Sequence, residues 1–449
     1  MLTPRDYGVM AMIATITVMG QALSDFGLSW ATVQRKELER NQIDALFLVN
    51  SVFGFLLTLL CLAAAPYIAE FYHYPELTKI VMACGGVLFL SAMAVQPNAL
   101  LRRQMKLKEI SVSAVWSLFI AAAIAIILAK LGFGYWALVA QLIAQQLVNT
   151  VLSFTMSGYH PKFPLHFLNM GTLLSFGGYS SAYGMLIYIS RNLDNVLIGK
   201  MCGAVALGYY SRAYFLMTLP GMLVIGGFSG VLIPTLAALR KDPARMESAY
   251  LRAIRLITVL GCSLAVGLAT TATEAIDSVY GPKWRAMVPI LLWLSVASIL
   301  QPVQNTAQWL CIVAERGRDM FLMGLLTAAS ASVAFAVSVR SGPVAVARAY
   351  AISNAIIAYP VLLMGHRACG LKIKKTLIDV APLLLCALLM GGAVELVGIA
   401  LSASSMEVHG RLIIKVFAGM AVYGACLRML SPRTYSEILA DITAPLIKA

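Results

Sequence analysis

Apolar runs long enough to cross a bilayer follow one another along this chain with almost nothing between them. A helix needs roughly 20 predominantly apolar residues to span the hydrocarbon core. Such runs fall at 7–31, 43–69, 77–101, 109–130, 134–157, 170–199, 207–238, 248–275, 284–313, 319–339, 343–366, 376–401 and 411–430. That predicts about thirteen spans, joined by connections of about a dozen residues at most. Only helices and closed barrels satisfy backbone polar groups in lipid, so the expected fold is an all-α polytopic membrane protein.

Composition excludes most other classes. AVILMFWYC residues make up 60% of the chain and DEKR 12%, against roughly 45–50% and 25% in soluble domains. The net charge of +14 sits in short loops, which marks topology rather than a nucleic-acid face. Eight scattered cysteines form no CxxC and read as small core residues. The five histidines lack ligand spacing and read as surface residues, so no metal site is expected. GxxxxGK[ST], HExxH and GxSxG are absent, and no extramembrane domain is long enough to hold soluble chemistry, so an enzyme is not expected.

Loop charge sets the expected orientation. Arg35, Lys36, Arg102, Arg103, Arg240, Lys241, Arg316, Lys372 and their neighbours bring about twenty Lys/Arg to one side, against about nine on the other. The basic side is cytoplasmic, with the C-terminus inside and the N-terminus of this chain outside.

The sequence also carries an internal repeat. Tyr7-Gly8 matches Leu207-Gly208, Gly27 matches Gly227, Tyr72 before Pro75 matches Tyr280 before Pro282, Gln96-Pro97 matches Gln301-Pro302, and Gly134 matches Gly342. Order is kept at an offset near 200–209. Two lobes related by a pseudo-twofold along the membrane normal follow, which is a carrier-like arrangement. The division is 1–160 for a five-span N-terminal lobe, 161–370 for a six-span C-terminal lobe, and 371–449 for a terminal helix pair and tail. The span at 170–199 has no counterpart in the first half, so the chain is expected to begin one helix late.

Several segments carry a family resemblance: LTPRDYG at 2–8, SDFGLSWATVQRK at 24–36, FYHYPEL at 71–77, GFGYWALVAQ at 132–141, ISRNLDNVLIGK at 189–200, ALGYYSRAY at 206–214, PTLAALRKDPARMESAYLRAIR at 234–255 and YGPKW at 280–284. In these the chain resembles the polysaccharide transporter family, which includes Wzx-type lipid-linked oligosaccharide flippases and shares a superfamily with the multidrug and toxin extruders. The likeness runs from Leu2 to about residue 370 and fades in the last two spans. It implies two six-helix lobes plus a terminal pair, so the first family helix is expected to be missing here. The implied substrate is an undecaprenyl-diphosphate-linked oligosaccharide, moved from the cytoplasmic to the periplasmic face of a bacterial inner membrane for exopolysaccharide, capsule or O-antigen synthesis. The implied partners are that substrate, membrane lipids, a polysaccharide polymerase and a chain-length regulator, with no nucleic acid. No cofactor is implied beyond a coupling proton or sodium ion.

Charged residues within spans are expensive and default to functional hypotheses. Arg191, Arg212 and Arg348 are candidates for an anionic-headgroup site, since Arg binds phosphate oxygens in pairs. Asp25 and Asp194 are candidates for ion coupling. By helical rise Arg191, Asp194, Arg212 and Arg348 are expected in the outer half of the second lobe, and Asp25 on the cytoplasmic side of the first. Structural readings stand beside these: Arg191 and Asp194 neutralising each other three residues apart, Arg212 and Arg348 snorkelling, and Asp25 capping a break at Phe26-Gly27. Tyr179, Tyr183, Tyr188, Tyr209, Tyr210 and Tyr214 are either sugar-stacking or interfacial residues. The leading expectation is a flippase working by alternating access. Its rivals are a cation-coupled drug antiporter of the same fold, a polymerase or ligase of the same pathway, and a non-transporting remnant.

Overall fold

The computed structural model describes residues 2–25, 29, 32, 39–162, 170–402, 406–432 and 434–437, leaving aside the side chains of 22, 24, 25, 170–187, 189–191, 223–227, 229 and 402. Among these residues the chain is helical and contains no strand. The helices are α1 (Pro4–Asp25), α2 (Arg40–Tyr72), α3 (Leu77–Arg103), α4 (Leu107–Lys130), α5 (Tyr135–Ser157) and α6 (Met170–Ala238). They continue with α7 (Pro243–Thr270), α8 (Ala272–Val279), α9 (Val288–Ser298), α10 (Gln301–Val313), α11 (Gly317–Ser338), α12 (Pro343–Cys369), α13 (Ile373–Ser402) and α14 (Val408–Leu430). Helix overlaps every expected span. Among the described residues nine helices are long and apolar enough to cross a membrane by themselves, and a bent pair adds a tenth.

Two expected boundaries take a different form. The span expected at 284–313 is a 3-10 turn (Pro282–Met287) followed by α9 and α10, bent by 40° where Ile299 and Leu300 intervene. Pro302 in the first turn of α10 has no N–H to continue the preceding helix, which explains the break. The expected loop between 199 and 207 is a single-residue break. Helix runs on both sides of Gly203, whose φ of 84° and ψ of 176° are accessible only without a side chain.

The chain forms two compact units, Met1–Gly208 and Tyr209–Ala449. This cut differs from the repeat-based 1–160, 161–370 and 371–449, because the first part of α6 packs in unit 1. There the Tyr188 hydroxyl donates to the Thr15 carbonyl at 3.1 Å, and Gly199 abuts Tyr72 and Met12.

In unit 1, α3 packs against α1, α2, α4 and α5, and buries Ile80, Val81, Cys84, Leu88 and Ala92. The α1 and α6 backbones meet at the Pro4 end of the unit. A Cβ on Gly8 would lie 1.7 Å from the Ala204 carbonyl oxygen, and one on Gly208 would lie 1.8 Å from that of Pro4. Each glycine thus touches the residue four positions before its repeat partner. Around this contact the Ala204 amide donates to the Tyr74 hydroxyl at 3.0 Å, and Arg5 pairs with Glu76 at 2.7 Å. The Lys200 ammonium donates to the Phe71 carbonyl and lies 4.8 Å from the Phe71 ring.

In unit 2, Tyr250 and Ile254 of α7 pack with Val303, Ala307 and Leu310 of α10 and Ile357, Val361 and Leu362 of α12. His366 is a correction to the surface reading of the histidines: it is 1% exposed. Its Nδ1 lies 2.7 Å from the Leu362 carbonyl and its Nε2 2.8 Å from the Thr376 hydroxyl. Both ring nitrogens are therefore satisfied inside the bundle, as burial requires.

The terminal pair α13–α14 is part of unit 2 rather than a separate body. Leu383, Cys386, Ala387 and Met390 of α13 and Tyr423 of α14 pack on Val259, Cys262 and Val266 of α7. Lipid tails are as apolar as these side chains, so close packing and polar ties must hold the pair in place. Two ties are buried at their basic end. Arg255 of α7 binds Asp379 of α13 at 2.6 Å and Glu437, beyond α14, at 2.9 Å. Lys415 of α14 pairs with Glu274 of α8 at 2.5 Å. All eight cysteines are free, and Cys61, Cys84, Cys262, Cys311 and Cys386 are buried as small core residues.

Candidate functional site

Polar side chains within an apolar bundle converge at one place in unit 1. Helix α3 presents Ser91, Ala94, Val95, Asn98, Ala99 and Arg102 along one face, following the three- and four-residue spacing that stacks side chains on a helix. Gln21 of α1, Ser29, and Gln146 and Asn149 of α5 complete a cleft of about 190 Å³. Ala94, Val95 and Ala99 are its apolar lining, and the rest is hydroxyl, carboxamide and one guanidinium.

Serine hydroxyls lie against both asparagines. The Ser113 hydroxyl donates to Asn149 Oδ1 at 3.1 Å, while the Ser153 hydroxyl lies 3.1 Å from Asn98 Oδ1 with the Asn149 carbonyl nearer, at 2.7 Å. Holding the Asn149 oxygen this way leaves its Nδ2 as a donor for the cleft. Thr150 holds the α5 backbone to α3 by donating to the Leu90 carbonyl at 3.0 Å. Arg102 is exposed at the end of the cleft and has no ion-pair partner among the described residues. Its neighbour Arg103 instead donates to the Thr32 carbonyl at 2.8 Å.

At the same end of the unit, just after α5, the Tyr159 hydroxyl donates to Asp44 Oδ1 at 2.6 Å. Burial, and then this carboxylate, push the Tyr159 phenol well above its ordinary range. The contact anchors the end of α5 to the start of α2. Two amides lie off the cleft, among the helices of the unit. Asn50 of α2 is fully buried with neither amide atom hydrogen-bonded among the described residues, and Gln96 of α3 accepts from the Thr32 hydroxyl while its Nε2 lacks a partner among them.

The residues expected to form the site are described only in part. Asp25 is the last residue of α1 and Arg191 lies in α6, and the side chains of both lie outside the described residues. Asp194 is 2% exposed in unit 1, where its Oδ1 accepts from the Asn195 amide at 2.8 Å. Arg212 and Arg348 belong to unit 2. Arg212 is half-buried with its guanidinium 5.7 Å from the Phe215 ring, and Arg348 is exposed in the second turn of α12. Asp194 therefore falls in a different unit from these two arginines, whereas sequence grouped all three in one lobe. Of the tyrosines, Tyr210 is fully buried and stacks on Tyr214, while the Tyr209 hydroxyl donates to the Lys283 carbonyl at 3.2 Å.

Sequence reasoning weighed charges and passed over the amides. Asn98 served only as the neighbour of a repeat marker, and Arg102 only as a topology signal. The missed cue is Gln141, Gln145, Gln146 and Asn149, four amides crowded into one otherwise apolar span.

Comparison with known proteins gives this arrangement a context. Residues 1–289 match a family described as polysaccharide biosynthesis protein. The chain is 27% identical over 434 residues to the teichuronic acid biosynthesis protein TuaB of Bacillus subtilis (strain 168), covering 94% of this chain and 88% of that protein. It is 25% identical over 446 residues to the succinoglycan biosynthesis transport protein ExoT of Rhizobium meliloti (strain 1021), covering 98% and 89%. It is 21% identical over 307 residues to the lipopolysaccharide biosynthesis protein WzxC of Escherichia coli (strain K12), covering 67% and 62%. Among solved structures its fold is similar to the lipid II flippase MurJ in an inward closed conformation, with a TM-score of 0.75, 14% identity, and coverage of 98% of this chain and 94% of that one.

Proposed function

The chain belongs to the polysaccharide biosynthesis protein family, and from that membership we propose that it flips an undecaprenyl-diphosphate-linked oligosaccharide repeat unit across the bacterial inner membrane. As a multi-pass transporter of this family it supplies a path for a polar passenger, while the lipid tail stays in the bilayer. The observation that carries the reading is the cleft between α1, α3 and α5: hydroxyls, carboxamides and one guanidinium within an apolar bundle. Polar groups in a membrane core are costly and are kept where something polar passes. The sugar hydroxyls of the passenger both donate and accept hydrogen bonds, as Ser, Asn and Gln do.

In this reading Arg191, Arg212 and Arg348 serve the diphosphate, and Asp25 and Asp194 couple the cycle to a proton or sodium gradient. The basic ends of the helices face the cytoplasm, where the substrate is assembled, and delivery is to a polymerase on the other face. The test is export by a strain lacking its own flippase, together with movement of a fluorescent lipid-linked oligosaccharide in proteoliposomes. Both activities are expected of the wild type, and both are expected to fail in Arg191→Ala and Arg212→Ala at normal membrane levels. Normal export by both variants would remove the headgroup role from these arginines. Failure of the wild type in both assays would end the flippase reading.

A further inference from the structure

We infer that the cleft of unit 1 is a subsite for a single sugar 1-phosphate, oriented with its phosphate at Arg102 and its ring toward Ser91. This rests on the flippase reading and deepens it: the cleft takes the sugar-phosphate end of the passenger on entry, before the diphosphate passes to Arg191, Arg212 and Arg348.

The volume comes first. At about 190 Å³ the cleft falls below the roughly 300–1,000 Å³ of sites that enclose drug-sized ligands. It holds one ring and its substituent, not a whole repeat unit. The chemistry is graded along α3. Asn98 and Arg102 are four residues apart and lie one above the other on the same face. The first offers a carboxamide with the Ser153 hydroxyl beside its oxygen at 3.1 Å, and the second a guanidinium with no ion-pair partner among the described residues. A phosphate bound there gains a charge-assisted fork from Arg102 and a neutral donor from Asn98. Across the cleft, Asn149 is oriented by Ser113. With Ser91, Gln21 and Gln146 it provides the mixed donors and acceptors that ring hydroxyls require. Ala94, Val95 and Ala99 of α3 give the ring's C–H face an apolar surface to lie against.

Other ligand classes fit less well. No carboxylate lines the cleft among the described residues, so an organic cation finds no counter-charge. No aromatic ring lines it either, so a nucleobase has no surface to stack on. A bare anion would use the Arg102 end and leave the amide end unfilled.

The full chain in detergent tests this directly, by calorimetric titration and thermal midpoint. The probes are the 1-phosphates of glucose, galactose and N-acetylglucosamine, the three free sugars, and inorganic phosphate. At least one sugar phosphate is expected to bind more tightly than either its free sugar or phosphate alone. Arg102→Gln is expected to lower that affinity about tenfold and bring it to the level of the free sugar. Asn149→Leu is expected to weaken sugar and sugar phosphate alike, and Lys108→Gln, a basic residue outside the cleft, to change neither. Absence of binding by all three sugar phosphates overturns the subsite. So does binding of phosphate alone as tightly as the sugar phosphates, or insensitivity to Arg102→Gln. In the export assay, full activity of both cleft variants beside an active wild type removes the subsite and leaves the flippase reading standing, whereas an inactive wild type removes the flippase reading itself.

Discussion

Replacing Arg255 with Met keeps an unbranched apolar stem and removes the guanidinium from the point where α7, α13 and the segment after α14 meet. The Arg255 side chain is 7% exposed, while Asp379 and Glu437 are 29% and 21% exposed. Breaking a fully buried pair costs about 3–5 kcal/mol, because a charge is left without its partner. Here two carboxylates are stranded at once, but each retains some water. The expected loss is therefore about 2–3 kcal/mol, at or below the lower bound of that range. Glu437→Gln alone leaves the 2.6 Å bond to Asp379 and is expected to cost about 1 kcal/mol. The triple variant Arg255→Met/Asp379→Asn/Glu437→Gln removes every stranded charge and is expected to recover more than half of the single-variant loss. The assay is reversible unfolding in mixed detergent micelles by SDS titration, read by tryptophan fluorescence. A single variant within about 0.5 kcal/mol of wild type, or a triple variant no more stable than Arg255→Met, would refute the argument that the guanidinium holds the terminal pair in place.

Two further outcomes follow from unit 1. Gly208→Ala places a methyl carbon 1.8 Å from the Pro4 carbonyl oxygen, so the two backbones must part. The expected cost is about 1–3 kcal/mol, read as a lowered thermal midpoint, and an unchanged midpoint would show that the contact is looser than described. Asn50→Leu removes a fully buried amide that has no hydrogen bond among the described residues. It is expected to be neutral or to stabilise by up to about 2 kcal/mol, and a loss above about 1 kcal/mol in the same SDS titration would show that the amide is bonded in solution.

The spans were legible because lipid makes the same demand on every helix that crosses it. The residues that break them were legible where they act through the backbone, as Gly134 and Gly342 do at the starts of α5 and α12. Which faces meet was not legible. In water the polar face of a helix identifies the buried one, but in lipid both faces are apolar and periodicity loses that information. Hence the burial of His366, the joining of the first part of α6 to unit 1 and the bolting of α14 through Lys415 all came from packing. The cleft escaped for a related reason. Charges such as Arg212 and Arg348 stand out in an apolar sequence, whereas Asn98 and Asn149 become informative only once they are seen to line one cleft, with Ser113 holding the second.

The contact between Gly8 and Gly208 also limits how this sequence can drift. Most steric conflicts in a protein have two cures, since either neighbour can be made smaller. Here each glycine faces a main-chain carbonyl, that of Ala204 in one case and of Pro4 in the other. A carbonyl is present whatever residue carries it, so no substitution at 4 or 204 makes room for a side chain at 208 or 8. The two glycines are therefore held in place one at a time, each by the other repeat's peptide chain, with no second-site change available to release them.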